Sequence, residues 1–552
     1  MTKKAIIHVE NTVNLLEFAS YLNSAGWTIL SANKTEEILQ NERIPVTHEI
    51  GLSLNSLYVN ETSNLIRRIL SAKYPDEYTS DKEDNENNIY IVCMNVTPKI
   101  ENFYAPIDDM KKNNLYDFHL SSVLRNSFSN FHNLLILTDP ADYKEAMIQL
   151  RTDKISPDFR IYLAAKALNL IAAYDSGIAF SVLEKSEYSD YFLNYFVEPY
   201  KKFMTLSHGA NEHQQGCIYK SPKISGALNG FYKLKDEKLS YNLVLDISFA
   251  WERICTLYEF LKNQYTVKTT NSDGYDFTTQ FTPLTGTVFT IAVKFNSIVG
   301  AALSENVLDS LKKTYTYDVQ NISQVVLACS AVIDDISANE IVKGNFAAVV
   351  APSFTVEAKQ ILSQNKNIQL IPSAKVESSK VDGKLVNGGI LIQQRDQILF
   401  SHWNICTKNR LSQFKIDQMA FGMLLAMGAA SYTAVLLKNN SIIGIAQSCT
   451  SMDKALQIVL DDAKMRLEKF KDCELFSSSK NYENNEQNNN CIGDVLICDS
   501  VINFSQPIKN LIDNGITAII QTGGTSADND FINYCDERGI VMVFTGMSHI
   551  SF

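Results

Sequence analysis

The sequence lacks the features that mark several large classes of protein. Its ten cysteines include no C-x-x-C pair, so neither a zinc site nor a disulfide framework is predicted. The opening residues MTKKAIIHVENT contain no secretory apolar core, and no apolar run approaches membrane-spanning length. Acidic residues outnumber basic ones by 61 to 50, and the net charge of −11 argues against a nucleic-acid partner. We therefore expect a reduced, cytoplasmic protein without a metal, a membrane or a nucleic acid as its partner.

What is present is an ordinary globular composition, with 45% hydrophobic and 20% charged residues. A chain of 552 residues exceeds the size of one core, so two or more domains are expected. Apolar runs at 5–9, 28–30, 89–94 and 134–138 predict strands, and helical spacing lies between them, as at 15–22. This alternation predicts an α/β fold with a mostly parallel sheet covered on both faces.

The stretch 515–546 organises the carboxyl-terminal part of the chain. The apolar run 518–520 predicts a strand, which is followed by a turn at Gly523-Gly524 and a helix that opens near Asp528. Glycines between a strand and a helix let backbone amides approach an anion or a ring. Gly523, Gly524 and Asp528 are therefore candidate substrate-binding residues, with plain turn chemistry as the alternative.

Composition also suggests where the chain divides. The acidic, asparagine-rich tract 76–88 and the low-complexity tract 477–490 cannot bury enough apolar surface to order themselves, so both are predicted to be disordered insertions. A domain boundary is expected near Pro199. Two similar tracts follow it, with strands predicted at 289–293, 325–329 and 347–351, then at 388–392, 432–437 and 518–520, which indicates a duplicated α/β domain.

Several blocks of sequence together carry a family resemblance. They read IIHVENTVNLLEFASYL at 6–22, CMNVTP at 93–98, SHGANEHQ at 207–214, VKFNSIVGAAL at 293–303, AAVVAPSFTVEA at 347–358, VNGGILIQQRD at 386–396, GITAIIQTGG at 515–524 and GIVMVFTGMSH at 539–549. The predicted helix around Leu124-Arg125 fits the same set. Nearly the whole chain resembles, in the same order, the bifunctional purine-biosynthesis enzymes that couple aminoimidazole-carboxamide ribotide formyltransferase to inosine monophosphate cyclohydrolase.

The resemblance implies a specific organisation. Residues 1–198 would form a methylglyoxal-synthase-like domain for cyclisation. Residues 199–552 would form the transformylase region, as two cytidine-deaminase-like α/β halves at roughly 199–375 and 376–552. It further implies a homodimer with the transformylase site at the subunit boundary, 10-formyltetrahydrofolate as the cofactor, no metal, and a small nucleotide-like or amine substrate.

The transformylase residues depart from the family pattern. Lys294 matches a catalytic lysine of the family, with a solvated surface lysine as the alternative. Phe295 stands where members carry the histidine that is thought to take the amine's proton. His208 and His213 are the candidate replacement bases, since histidine titrates near neutral pH; otherwise they are loop histidines inherited with the fold. Gly209 and Asn211 of the same loop are candidate substrate-binding residues.

Other positions of that region have lost ligand-binding charges. The loop lacks the family's phosphate-pairing arginine, and Ala347 lies where members place an aspartate that holds folate. Met427 and Tyr432 stand at positions where members have a lysine and an asparagine. The resemblance therefore implies weaker binding of the standard ligands unless other residues compensate.

The cyclohydrolase site is changed as well. Members bind a phosphate with a Ser-x-Gly-Gly-Thr turn, whose backbone amides face the anion. This chain has SANKT at 31–35. Two side chains therefore crowd the approach of a phosphate, although Lys34 could supply charge instead. Asp117 and Arg125 survive, as site residues or as a structural pair. We assign Lys34, Thr35, Asp117 and Arg125 to a former cyclohydrolase site and expect the cyclisation activity to be lost.

Three functions are compatible with these observations. The first is a divergent folate-dependent formyltransferase with an altered acceptor, which requires His208 or His213 near Lys294 beside an open pocket. The second is an inactive homologue that binds a nucleotide or a partner subunit, which predicts that Phe295, Met427 and Tyr432 pack together and close the pocket. The third is the ordinary bifunctional purine enzyme.

Overall fold

The chain forms two compact units, Met1–Lys201 and Lys202–Phe552. A computed structural model describes residues 3–52, 59–72, 89–95, 118–152, 154–183, 186, 192–221, 226–231, 239–262, 265–281, 287–315, 324–377, 379–471 and 491–551. Asp117 and the predicted insertions at 76–88 and 477–490 lie outside these residues. Among the described helices, none combines the length and the apolar character that crossing a membrane requires.

The first unit contains a five-stranded sheet in the order β3-β2-β1-β4-β5. Its strands are β1 (Lys4–His8), β2 (Thr28–Ser31), β3 (Thr47–His48), β4 (Ile89–Met94) and β5 (Leu135–Leu137). All neighbouring strands pair in parallel, so the predicted parallel α/β arrangement is confirmed for this unit. The strand order reverses between β1 and β4, and the ends of these two strands are therefore where an α/β sheet usually binds its ligand.

Both faces of this sheet carry an apolar cluster, because β4 and the interiors of β1 and β2 are continuous apolar runs. Ile6 and Val92 belong to one cluster, and their neighbours Ile7 and Ile91 belong to the other. The helices described in this unit are α1 (Leu15–Ser24), α2 (Asn33–Asn41), α3 (Val59–Leu70), α4 (Phe118–Phe128), α5 (Tyr143–Arg151) and α6 (Pro157–Leu183).

The second unit is built on a 13-stranded mixed sheet in the order β14-β13-β12-β10-β11-β19-β18-β20-β21-β22-β17-β8-β9. The remaining strands within the described residues, in order, are β6 (Lys201–Thr205), β7 (Cys217–Lys220), β8 (Tyr265–Thr270), β9 (Asp276–Phe281), β10 (Val288–Lys294), β11 (Ser297–Ser304), β12 (Val325–Cys329), β13 (Phe346–Ala351), β14 (Gln369–Pro372), β15 (Val381–Val386), β16 (Gly389–Gln394), β17 (His402–Ile405), β18 (Ala434–Lys438), β19 (Ser441–Ala446), β20 (Val495–Cys498), β21 (Ala518–Gln521) and β22 (Val541–Phe544). The pairs β6–β7 and β15–β16 form separate two-stranded sheets.

Two segments of the large sheet repeat one another in order and direction. Each has an antiparallel hairpin, β10–β11 or β18–β19, followed by three mutually parallel strands, β12 to β14 or β20 to β22. The segments meet where β11 and β19 pair in antiparallel fashion at Ala302 and Ser441. The hairpin β8–β9 lies at the far end of the sheet, beside β17.

The two segments also share one hydrophobic core on one face of the sheet. Trp251 of one helix and Phe421 of another lie in a single buried cluster with Phe289 and Val435 of the two hairpins. The helices of this unit are α7 (Ala227–Gly230), α8 (Tyr241–Lys262), α9 (Val307–Tyr315), α10 (Asp335–Ile341), α11 (Val356–Leu362), α12 (Gln413–Met427), α13 (Met452–Lys471), α14 (Gln506–Asp513) and α15 (Asp528–Glu537). The mixed α/β class is confirmed, whereas the domain types and boundaries expected from the resemblance stay predictions.

Candidate functional site

The site edge is the edge of the large sheet at which β10, β19, β20, β21 and β22 all end. These ends coincide because each neighbouring pair is antiparallel in the row β10, β11, β19, β18 and β20, so that β10, β19 and β20 run in the same direction. The strands β21 and β22 are parallel to β20. Ligands of α/β sheets bind in the crevice outside the carboxyl ends of strands. Lys294, at the end of β10, therefore lies at the same edge of the sheet as the carboxyl ends of β20 to β22.

Lys294 begins a tight turn between β10 and β11, here called the Lys294 turn (residues 294–297). Its central residues, Phe295 and Asn296, have left-handed φ values of 50° and 57°. Asp246 of α8 is only 5% exposed and accepts hydrogen bonds from the Phe295 amide (3.0 Å) and the Asn296 amide (2.6 Å). Burial raises the pKa of the Asp246 carboxyl above its usual value. A buried carboxylate therefore fixes the conformation of the turn that carries Lys294.

Gln447 ties this turn to the second segment of the sheet. It follows β19, and its side-chain oxygen accepts from the Ile298 amide (3.0 Å) while its nitrogen donates to the Ile298 carbonyl (2.8 Å). The pair of bonds fixes the start of β11 against the end of β19. Lys294 is consequently held from the helix side by Asp246 and from the sheet side by Gln447.

The loop with His208 and His213 lies beside the Lys294 turn along α8. The side-chain amide of Asn242 donates to the Ala210 carbonyl (3.0 Å). Asn242 and Asp246 are four residues apart, so they share one face of the helix about 6 Å apart along its axis. The loop and the Lys294 turn are therefore bound by neighbouring positions of the same helix face.

The candidate residues within this loop also shape it. His208 is half-buried with Nδ1 2.8 Å from the Gly209 carbonyl, whereas His213 is exposed. The Gly209 amide donates to the Gln214 carbonyl (2.6 Å), and a Cβ at Gly209 would lie 2.7 Å from that of Gln214. Asn211 donates to the Gln214 side-chain oxygen through its amide and its side chain, both at 3.0 Å. A ligand role for Gly209 or Asn211 stays a prediction.

The Gly523-Gly524 turn follows β21 at the site edge. Both glycines have positive φ, 77° and 101°. The Asp528 carboxylate accepts from the Gly524 amide (2.7 Å) and the Thr525 amide (3.1 Å) at the start of α15. An anionic ligand would have to replace Asp528 at the Gly524 amide, so the turn has a structural role of its own.

Asp499 is a residue of the site edge that the sequence analysis did not identify. It directly follows β20 and is buried; one carboxylate oxygen accepts from the Ser431 hydroxyl (2.6 Å) and the Thr433 amide (3.0 Å). Its other oxygen is buried without a hydrogen-bond partner in the described part of the chain. Burial raises the pKa of this carboxyl. An acidic residue immediately after the apolar run VLIC was the available sequence signal.

His549 connects the end of the chain to Asp499. Its amide donates to the Asp499 carbonyl (2.8 Å), its Nδ1 lies 2.6 Å from a carboxylate oxygen of Asp396, and its Nε2 lies 3.1 Å from the Leu399 carbonyl. The side chain is fully buried. Part of the block 386–396 is thus explained by the fold, because Asp396 anchors this carboxyl-terminal segment.

The three residues predicted to close the old pocket do not pack together. Phe295 is 71% exposed. Met427 packs against the core shared by the two sheet segments, whereas Tyr432 packs against the cluster on the opposite face. The prediction that they fill the pocket together is therefore wrong.

The turn predicted as a former phosphate site joins β2 to α2 in the first unit. Ala32 is fully buried and Asn33 adopts a left-handed φ of 56°. The Thr35 hydroxyl accepts from the Val9 amide (3.1 Å) and donates to the Val9 carbonyl (3.0 Å). Lys34 is exposed. Thr35 thus holds the start of α2 against the end of β1.

Arg125, the other described candidate of that site, lies elsewhere in the unit. It forms an ion pair with Asp175, and both side chains are largely exposed. The pair lines a cavity of about 410 Å³ together with Ser121, Ser122, Ile178 and Ala179. Lys34 and Thr35 are not among the residues that line this cavity.

No metal centre is found within the described ranges, since no cluster of three or more histidine, cysteine, aspartate or glutamate side chains could hold an ion.

Comparison with known proteins places the chain in a family. The sequence model of the AICARFT/IMPCHase bienzyme family matches residues 128–461, more than half of the chain. The chain belongs to this family. Relatives in the family include the bifunctional purine biosynthesis protein PurH of Clostridium acetobutylicum, 28% identical across 100% of this chain and 99% of that protein. PurH of Fusobacterium nucleatum gives the same identity and the same coverage.

The family likeness extends over the full length but is distant. PurH of Petrotoga mobilis is 26% identical across 100% of this chain and 99% of that protein. Among solved structures, the crystal structure of ForH is 21% identical and covers 33% of this chain and 98% of that one, with a TM-score of 0.27. The likeness to these relatives therefore covers the whole chain at 26–28% identity.

Proposed function

We propose that this chain is a divergent folate-dependent formyltransferase with an altered acceptor and without cyclohydrolase activity. The observation that carries the proposal is that Asn242 and Asp246, on one face of α8, bind the histidine-bearing loop and the Lys294 turn side by side. The exposure of Phe295 supports an open site rather than a filled one.

In the proposed reaction an acceptor amine attacks the formyl carbon of 10-formyltetrahydrofolate. A new bond forms between the amine nitrogen and that carbon, the bond from the carbon to the folate nitrogen breaks, and tetrahydrofolate leaves with a proton. The Lys294 ammonium stabilises the negative charge that develops on the formyl oxygen. His208 or His213 accepts the proton of the attacking amine, because the phenyl ring of Phe295 cannot.

The same proposal includes the assembly and location implied by the family. The protein acts as a cytoplasmic homodimer, with a methylglyoxal-synthase-like domain before a transformylase region of two cytidine-deaminase-like halves. Its substrate is a small nucleotide-like or amine molecule. Gly209, Asn211, Gly523, Gly524 and Asp528 contribute to binding it, directly or by shaping the loops around it.

Loss of cyclisation is proposed from the turn at 31–35. A phosphate cradle needs bare amides that an anion can approach closely. Here a buried Ala32 and a left-handed Asn33 occupy the turn, and the hydroxyl of Thr35 is engaged with Val9. Lys34 remains as an exposed cation, which would bind a phosphate more weakly than a cradle of backbone amides.

The experiment is a titration of the purified protein with 10-formyltetrahydrofolate and with aminoimidazole-carboxamide ribotide. We expect folate binding and slow release of tetrahydrofolate with the ribotide or another amine, and no inosine monophosphate. Binding of neither compound would instead favour an inactive homologue that serves as a nucleotide-binding or partner-binding subunit. Rapid formation of inosine monophosphate would show an ordinary bifunctional enzyme.

The chain offers a matched control for Lys294. Lys438 occupies the equivalent position at the end of β18, where its Nζ donates to the Cys491 carbonyl (2.6 Å). Lys294→Ala is expected to lower the rate of formyl transfer at least about a hundredfold, since it removes a charge that acts on the transition state. Lys438→Ala is expected to lower stability and leave the rate unchanged.

A further inference from the structure

Phe295 combines two unfavourable features at the site edge. Its φ of 50° is a left-handed conformation that bulky side chains rarely adopt. Its ring is 71% exposed, so folding recovers little of the free energy of burying it. Strained residues of this kind tend to persist at functional sites.

The second segment of the sheet contains an equivalent turn, which shows the residues that suit this backbone conformation. Residues 438–441, the Lys438 turn, connect β18 to β19 and have central φ values of 50° at Asn439 and 58° at Asn440. A carboxylate again holds the turn, because Asp494 accepts from the Asn439 amide (2.7 Å). Asparagine tolerates the left-handed region. The Lys294 turn thus has phenylalanine where the equivalent turn has the residue suited to the backbone.

The surroundings of Phe295 indicate what its ring would contact. The Nζ of Lys294 lies 5.2 Å from the centroid of the ring. The turn projects from the site edge beside the loop 207–214 and the end of β19, and Asp246 fixes the backbone from which the ring extends. A flat apolar surface and a cation are therefore presented together.

We propose that Phe295 is a ligand-contact residue that stacks on the planar ring of a ligand carrying a negative charge, which Lys294 attracts. This inference rests on the proposed formyltransferase function and extends it by assigning a binding role to the residue that replaced the family's histidine. Two ligands of the reaction have this chemistry. One is the folate, with its aromatic rings and glutamate carboxylates; the other is an imidazole ribotide with its phosphate.

The test compares three variants of the full-length protein. Phe295→Asn installs the residue of the Lys438 turn, Phe295→Tyr keeps an aromatic ring, and Asn439→Phe places the same strain in the Lys438 turn. For each we would measure the melting temperature and the dissociation constants of tetrahydrofolate and of aminoimidazole-carboxamide ribotide by calorimetry.

We expect Phe295→Asn to raise the melting temperature and to weaken one of the two ligands roughly five- to a hundredfold, the range given by loss of one stacking contact. Phe295→Tyr should bind that ligand as the wild type does. Asn439→Phe should lower the melting temperature without changing either dissociation constant. The ligand that is weakened identifies which of the two stacks on the ring.

Two results would overturn the inference, and they are distinguishable. In the first, the wild type binds at least one ligand and Phe295→Asn has the same dissociation constants as the wild type. Phe295 is then not a contact residue, while the proposed function stands. If the wild type binds neither ligand, the proposed function fails and the inference fails with it.

Discussion

His8 shows how the burial of one side chain creates a pH dependence of stability. It ends β1, is 9% exposed, and burial lowers its pKa from 6.5 to about 4. Between these two pKa values His8 is protonated in the unfolded chain but neutral in the folded protein. The free energy of unfolding therefore falls as the pH drops below about 6.5 towards 4. Between pH 7.5 and pH 5 the expected loss from this residue is about 2 kcal/mol.

Urea unfolding of the wild type and of His8→Gln at both pH values measures this loss. The variant has no imidazole to protonate, so its free energy of unfolding should decline less between the two pH values, by about the same 2 kcal/mol. Equal declines would show that His8 is protonated in the folded protein.

At the scale of single residues, the sequence indicated Lys294 and the loop histidines, because they stand in long blocks shared with a family. It gave no sign of Asp246, whose bonds to the Lys294 turn span 49 and 50 residues of sequence. Nor did it suggest that Thr35 would bind Val9, 26 residues away. Such contacts depend on tertiary packing, and no local pattern in the sequence encodes them.

Among the elements, the Gly523-Gly524 turn offers a test of why glycine is present. A Cβ at Gly523 would lie 2.5 Å from the Phe544 ring, whereas a Cβ at Gly524 would have nothing within 4 Å. Both residues have positive φ. Gly524→Ala should therefore cost about 1 kcal/mol from backbone strain, and Gly523→Ala about 2–4 kcal/mol from strain and overpacking together. Thermal unfolding of the two variants decides the order, and equal losses would contradict the packing argument.

The two equivalent turns provide a second element-scale prediction. In each turn a carboxylate accepts hydrogen bonds from backbone amides. Asp246→Ala and Asp494→Ala remove these bonds, and each should lower the free energy of unfolding by about 2–3 kcal/mol. If the Lys294 turn belongs to the site, only Asp246→Ala should also lower kcat for formyl transfer. Assays below the melting temperature of both variants separate the two effects, and an equal fall in kcat would assign Asp246 a purely structural role.

Strands made of one apolar run were the elements best predicted from sequence. Residues 325–329 and 518–520 agree with β12 and β21, because such runs are stable only when both faces are covered. The pattern could not reveal that β8–β9 pairs with β17 at the far end of the sheet, since pairing partners of distant strands are set by the whole fold. The site edge, which depends on strand order, was therefore beyond local reasoning.

For the whole molecule, the shared core of the second unit predicts how the chain can be divided. Residues 1–201 contain a complete five-stranded sheet with apolar clusters on both faces, so this fragment should fold and melt cooperatively. A fragment of residues 202–377 would leave β11 without β19 and would expose the part of the core that packs against α12 and β18. An unpaired edge and an exposed apolar face favour aggregation. Circular dichroism and light scattering of the two fragments test this contrast; cooperative melting of 202–377 alone would mean that the repeated segments are independent folding units despite their common sheet.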